Sequence, residues 1–164
     1  MQMVIINLKK TALVFLLLFF VNGCTFAKEK AENCTGHKID HFLGKYQVTS
    51  VVRYRGGLTT EVQANSKLKS ILIIDLNLFD MAGFAAYESK IDFRCVSNVS
   101  EGEVPVEKFS SFYGLRSDRE VIELMKIAPQ IEGATGIPIQ FEIVGEELWY
   151  LFDGWVYKYS KSNA

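Results

Sequence analysis

The sequence predicts a mainly β protein, a small antiparallel barrel or meander with one or two short helices, behind an N-terminal signal peptide. Seven or eight short segments after residue 37 are rich in Val, Ile, Tyr and Phe, and several alternate apolar with polar residues. Gly, Asn and Asp cluster between these segments, as turns require. A barrel leaves few free sheet edges at this size, so we favour it over an open sandwich.

The first 23 residues have the layout of a secretory signal. Lys9 and Lys10 precede an apolar run at 11–21, which is too short to cross a hydrocarbon core of about 30 Å. We therefore expect residues 1–23 to be cleaved. Their removal takes away two lysines and no acidic residue, so the net charge falls from −1 to −3. Without a basic cluster, the chain is not expected to bind nucleic acid.

The end of this signal contains a cysteine that would be modified. Val21-Asn22-Gly23-Cys24 resembles the bacterial lipobox, which implies that Cys24 receives a lipid and becomes a membrane anchor. Thr25, in place of an aspartate, implies the periplasmic face of the outer membrane. The alternative is an ordinary cut after Ala27, which would release a soluble periplasmic or secreted protein.

The remaining cysteines fit an exported protein. Residues 24–36 are small and polar and are expected to form a flexible tether to a domain at 37–160, with a tail at 161–164. Cys34 and Cys95 would pair in an oxidising compartment. That disulfide would close a loop of about 60 residues and contribute on the order of 4 kcal/mol. Two buried free thiols are the alternative.

The first half of the domain alternates in its longest strand. Tyr46, Val48 and Val52 share one face of a strand at 45–55, and Gly56-Gly57 ends it. The predicted elements, in order, are a helical turn at 37–42, that strand, a helical turn or lid-like loop at 60–69, a strand at 70–75, turn residues at 77–83 and a long strand at 84–96.

The second half contains one predicted helix. Ser117 and Glu120 match a capping box, and Val121, Leu124 and Met125 follow at helical spacing. The predicted elements, in order, are an acidic loop at 98–107, a short strand at 108–113, the helix at 117–127 and strands at 137–144, 148–152 and 155–159, with Asp153-Gly154 favouring a type I′ hairpin.

Both ends of the domain resemble the lipocalins and the wider calycin group. Phe42-Leu43-Gly44-Lys45-Tyr46 resembles their short helix and G-x-W opening, with tyrosine in the place of the tryptophan. The closing segment, Asp153-Gly154-Trp155-Val156-Tyr157-Lys158-Tyr159, resembles the last barrel strand of small lipocalin-like domains in bacterial exported proteins. The resemblance implies a barrel whose interior or mouth binds one small ligand.

Aromatic residues crowd the last two predicted strands. Core packing explains most of them, because aromatic side chains dominate protein interiors. The functional alternative is an aromatic-lined pocket, which is how small-molecule sites are usually built. Strand alternation places Trp149 and Leu151 opposite Tyr150 and Phe152. We expect the ligand-binding residues to be Tyr46, Phe93, Trp149 and Trp155.

No pattern in the sequence indicates catalysis, a metal or a cofactor. Cys34, His37 and His41 have metal-compatible spacing, yet they supply three ligands, and the predicted disulfide uses Cys34. A nucleophile elbow of the G-x-S-x-G type is absent from the sequence. Carboxylate pairs such as Glu146-Glu147 fall in predicted turns. We therefore predict no catalytic residues, no metal and no cofactor.

Two functions from different classes are consistent with these features. The first is a lipid-anchored barrel that binds a small apolar ligand or a lipid without catalysis. The second is a protein-binding inhibitor or immunity factor. Its partner would be a cell-wall hydrolase or toxin, which it would bind through the acidic loop at 98–107. Most lysozyme-type targets are basic, so an acidic loop would suit them. An enzyme ranks last, because the sequence offers no catalytic set.

Overall fold

A computed structural model describes residues 36–82, 84–98, 107–128, 130–131, 134–135 and 137–162. The predicted signal, the lipidation site Cys24, Cys34 and nearly all of the predicted tether lie outside these ranges. The described residues contain these elements: a 3₁₀ helix Ile39–His41, β1 Gly44–Arg53, α1 Glu61–Asn65, β2 Ile71–Ile74, β3 Leu78–Met81, β4 Phe84–Tyr87, β5 Lys90–Ser97, a 3₁₀ helix Ser110–Tyr113, β6 Val121–Ala128, β7 Gln130–Ile131, β8 Ala134–Thr135, β9 Ile139–Val144, β10 Glu147–Phe152 and β11 Trp155–Lys161.

Nine strands form one antiparallel sheet that curls into a half-barrel, which confirms the predicted mainly β fold. The strand order is β4-β3-β2-β1-β11-β10-β9-β6-β5, so β4 and β5 are the two edges. A separate pair, β7-β8, forms a short hairpin. Among the described residues, no helix is long and apolar enough to cross a membrane.

The first and last strands along the chain, β1 and β11, pair with each other in the middle of the sheet and join its two halves. Their register runs from Tyr46 opposite Lys161 to Arg53 opposite Trp155. It shifts between Val48 and Ser50, which marks a β-bulge. Bulges bend a strand and increase its twist, so this irregularity helps the sheet to curl at its centre.

The inner face of the curled sheet carries the main hydrophobic core. Ala64 of α1 packs into it, so the helix lies over this face. The described core side chains fall between Phe42 and Tyr159. A chain that lacks the predicted signal and Cys24, residues 25–164, therefore keeps all of them. The largest fully buried members of this cluster are Tyr46, Phe79, Phe141, Leu72, Ile74, Met125, Ile127 and Leu148.

The outer face is covered by the segment that connects β5 to β6. Phe109 packs with Val96, Ile122 and Leu124. The ring of Tyr113 lies 4.5 Å from that of Tyr54, centroid to centroid. Leu115 packs against a third cluster, formed by Val144, Trp149 and Val156. The strands on this side are therefore buried on both faces.

The predicted helix at 117–127 is wrong, because this stretch forms β6. It pairs with β5 and β9 over most of its length. Ile122 and Leu124 face the outer cluster, whereas Met125 and Ile127 face the inner core. A strand buried on both faces loses strict alternation, and its apolar residues then mimic helical spacing.

Three further boundaries differ from the prediction. The predicted strand at 108–113 instead contains the 3₁₀ helix Ser110–Tyr113, which is followed by Gly114 with φ 75°. The predicted turn at 77–83 contains strand β3. The long strand predicted at 84–96 is interrupted at Glu88, whose φ is 54°, so it forms β4 and β5.

Candidate ligand-binding cleft

A cleft of about 750 Å³ opens on the inner face of the half-barrel. One wall is the segment around α1, and the other is formed by β9, β10 and β11, with the β3–β4 turn beside them. The lining is mostly apolar and aromatic: Leu58, Met81, Ala82, Phe84, Ile139, Tyr150, Phe152, Tyr157 and Tyr159, with Thr59, Gln63, Ser66, Lys67 and Ser70 as its polar members.

The first wall is held by a capped helix of five residues. Thr60 accepts a hydrogen bond from the backbone N–H of Gln63, and the Gln63 side chain accepts one from the backbone N–H of Thr60. This capping box satisfies the exposed donors at the start of α1. Ala64 is fully buried beneath the helix and fixes it against the core.

A strap at 55–59 ties this wall to the β10–β11 turn. Asp153 accepts hydrogen bonds from the Leu58 N–H at 3.0 Å, the Thr59 N–H at 2.5 Å and the Thr59 hydroxyl at 2.6 Å. The Thr59 hydroxyl is the main reason that the pKa of Asp153 lies below its ordinary value. Trp155 Nε1 donates to the Thr59 carbonyl at 2.9 Å. Both ends of the turn therefore position the strap.

The second wall is a set of packed aromatic rings. Tyr150 and Phe152 are stacked, with centroids 5.7 Å apart and planes inclined by 8°. Tyr150 lies opposite Tyr157 in the β10–β11 register, and their centroids are 6.3 Å apart. Tyr159 meets the ring of Phe141 edge-on at 5.9 Å. These ring contacts and the β10–β11 register hold the aromatic side chains together as one wall.

Three tyrosine hydroxyls in this wall have no hydrogen-bond partner within the described chain: those of Tyr150, Tyr157 and Tyr159. Burial raises the pKa of each phenol, most strongly that of Tyr159. All three therefore stay protonated at neutral pH and can donate to a bound molecule.

The predicted ligand-binding residues lie elsewhere. Tyr46 and Trp155 are buried in the main core, and Phe93 packs against it. Trp149 belongs to the outer cluster, where the Lys158 ammonium lies 4.1 Å from its ring centre. None of the four lines the large cleft; Tyr46 does line a smaller one of about 580 Å³ near His37.

The sequence did carry a signal for the residues that line the cleft. Alternation along β10 predicts that Tyr150 and Phe152 share the face opposite Trp149, and the structure confirms this. The alternation of β11 places Tyr157 and Tyr159 on that same inner face. The tyrosines beside the two tryptophans, and not the tryptophans themselves, form the wall.

The remaining candidate sites are only partly described. His37 pairs with Glu123 at 3.2 Å, and the described residues contain no group of three potential metal ligands. Cys95 is half-buried on β5, and its pairing with Cys34 stays a prediction. Most of the acidic loop predicted to bind a protein, residues 99–106, lies outside the described chain.

No protein-family model, curated protein or solved structure matches the chain.

Proposed function

We propose that this protein binds a small apolar ligand or a lipid, without catalysis, in the cleft between α1 and strands β9–β11. The cleft itself supports the proposal. Its volume of about 750 Å³ is that of a small-molecule site, for which about 300–1,000 Å³ is usual. Its lining of aromatic and aliphatic side chains with a few polar groups is also typical of such sites.

The mouth of the cleft supplies a second reason. Three of its lining residues are large apolar side chains that remain exposed: Leu58 is 94% exposed, Phe84 48% and Phe152 53%. Val62, on α1 itself, is also exposed. Apolar side chains gathered around a concave site gain free energy when a ligand covers them.

Removing the exposed rings should weaken binding without unfolding the protein. We expect Phe84→Ser and Phe152→Ser each to lower the affinity for the neutral dye N-phenyl-1-naphthylamine about threefold to tenfold, because each loses apolar contact area. The measurement is a fluorescence titration of the dye. Phe112→Ser is the matched control, since Phe112 is 44% exposed and does not line the cleft.

Two results would contradict the proposal. One is a dye that fails to bind the unaltered protein. The other is an equal loss of affinity in all three variants while each stays folded, because Phe112 lies outside the cleft. Circular dichroism of each variant, recorded at the same temperature, shows whether it has stayed folded.

We also propose that the protein is exported and anchored at the periplasmic face of the outer membrane through a lipid on Cys24, with a disulfide between Cys34 and Cys95. The lipobox-like sequence and the paired cysteines support this. The intact mass of membrane-extracted protein should equal residues 24–164 plus acyl groups, less two hydrogens. A chain that begins at Lys28 without acyl mass would instead indicate a soluble protein.

A further inference from the structure

We propose that the ligand of this cleft is an anionic amphiphile, whose acidic group is held by the hydroxyls of Tyr150, Tyr157 and Tyr159 together with Lys67. This inference rests on the proposed function and names the chemical class of its ligand. It follows from which polar groups in the lining are free and which are already used.

The hydroxyls on the α1 side are already used as donors. Thr59 donates to Asp153 at 2.6 Å. Ser66 donates to the Gln63 carbonyl at 2.7 Å, and Ser70 to the Lys67 carbonyl at 2.6 Å. These side chains hold the wall together, and they offer a ligand no hydroxyl proton.

The free hydroxyl donors lie on the aromatic side. The three phenols lack partners within the described chain, and none of their oxygens is among its fully buried atoms without a partner, so a bound molecule can reach them. Tyr157 and Tyr159 are buried, so a group that reached them would be partly desolvated. Charge-assisted hydrogen bonds are the strongest that such donors can make.

The charge of the lining selects the sign of the ligand. Lys67 is the one charged residue among the described residues that line the cleft. The pKa of Tyr157 is raised by burial and by the charge of the nearby Asp153 carboxylate, which lies behind the strap and already accepts hydrogen bonds from Leu58 and Thr59. A cationic headgroup would meet the ammonium of Lys67 and no carboxylate in the lining itself, whereas a carboxylate or phosphate would meet that ammonium and three hydroxyl donors. The exposed rings of Phe84 and Phe152 are left for an apolar tail.

Four ligands with the same ten-carbon chain test this inference: decanoate, decyl phosphate, decanol and decyltrimethylammonium. Each is titrated into residues 25–164 by calorimetry at pH 7.5, below its micelle concentration or, for decanol, below its solubility limit. We expect at least one anion to bind about tenfold or more tightly than both decanol and the cation. The better of the two anions tells whether the site prefers a carboxylate or a phosphate.

Conservative variants locate the interaction. Tyr159→Phe and Tyr157→Phe should each weaken binding of the preferred anion about tenfold and that of decanol much less, because only the hydroxyl is lost. Lys67→Gln should do the same. Lys126→Gln is the control, since Lys126 is an exposed lysine that does not line the cleft.

The outcomes separate this inference from the function on which it rests. Equal affinity for the four ligands would overturn the anionic class and leave an apolar binding site. Preference for the cation would overturn it as well. Failure of all four ligands to bind would overturn the proposed function too.

Discussion

Replacing Glu142 with alanine is expected to lower the free energy of unfolding by about 3–5 kcal/mol, because a buried charge loses its partner. Glu142 is 3% exposed and accepts hydrogen bonds from the Ser110 N–H, the Ser110 hydroxyl and Arg119, each at 2.6 Å. The Arg119 side chain is 12% exposed. In the variant its guanidinium would stay buried without a counter-ion. Urea unfolding measures the loss.

A second ion pair provides the control for this prediction. Glu123 on β6 pairs with His37 at 3.2 Å, and its side chain is 43% exposed. Glu123→Ala should cost about 1 kcal/mol or less, as exposed pairs do. The double variant Glu142→Leu, Arg119→Met should recover only part of the stability: no charge is then buried alone, but the buried Ser110 N–H and hydroxyl lose their acceptor. Equal losses in Glu142→Ala and Glu123→Ala would contradict this explanation.

Replacing Gly57 with alanine should distort the cleft wall and cost about 1–3 kcal/mol, as overpacking of a close contact does. A Cβ at this position would lie 2.0 Å from the backbone oxygen of Asp153, so one of the two segments must move. Asp153 holds the strap through Leu58 and Thr59, and Thr59 lines the cleft. We therefore expect weaker dye binding together with a lower melting temperature.

The adjacent glycine gives a matched control for the Gly57 prediction. A Cβ on Gly56 would have no neighbour within 4 Å. Gly56→Ala should therefore leave dye binding unchanged and alter stability by about 1 kcal/mol at most. If the two alanine variants bind dye equally well, the strap does not shape the cleft.

The local parts of the fold could be predicted from sequence because short-range chemistry determines them. Asp153-Gly154 indicated a type I′ hairpin, and both residues have positive φ, 44° and 87°. The helical turn within 60–69 is present as α1. Alternation identified the opposite faces of β10.

The errors arise where distant contacts override local pattern. Nothing near β6 in sequence reveals that the segment after β5 covers its outer face, so its apolar residues suggested a helix. Distant contacts also determine which residues line the cleft. The capped helix, the strap and the tyrosines are separated by about 90 residues and meet only because β1 pairs with β11.

Methyl NMR of the two methionines in residues 25–164 tests the ligand-binding cleft most directly. Met81 lines the cleft, whereas Met125 is fully buried in the core. With ¹³C-methyl labelling, and with Met81→Leu to assign the signals, we expect dye addition to shift the Met81 methyl saturably and to leave Met125 in place. Saturable dye fluorescence without movement of Met81 would show that the dye binds elsewhere and would contradict the proposed site.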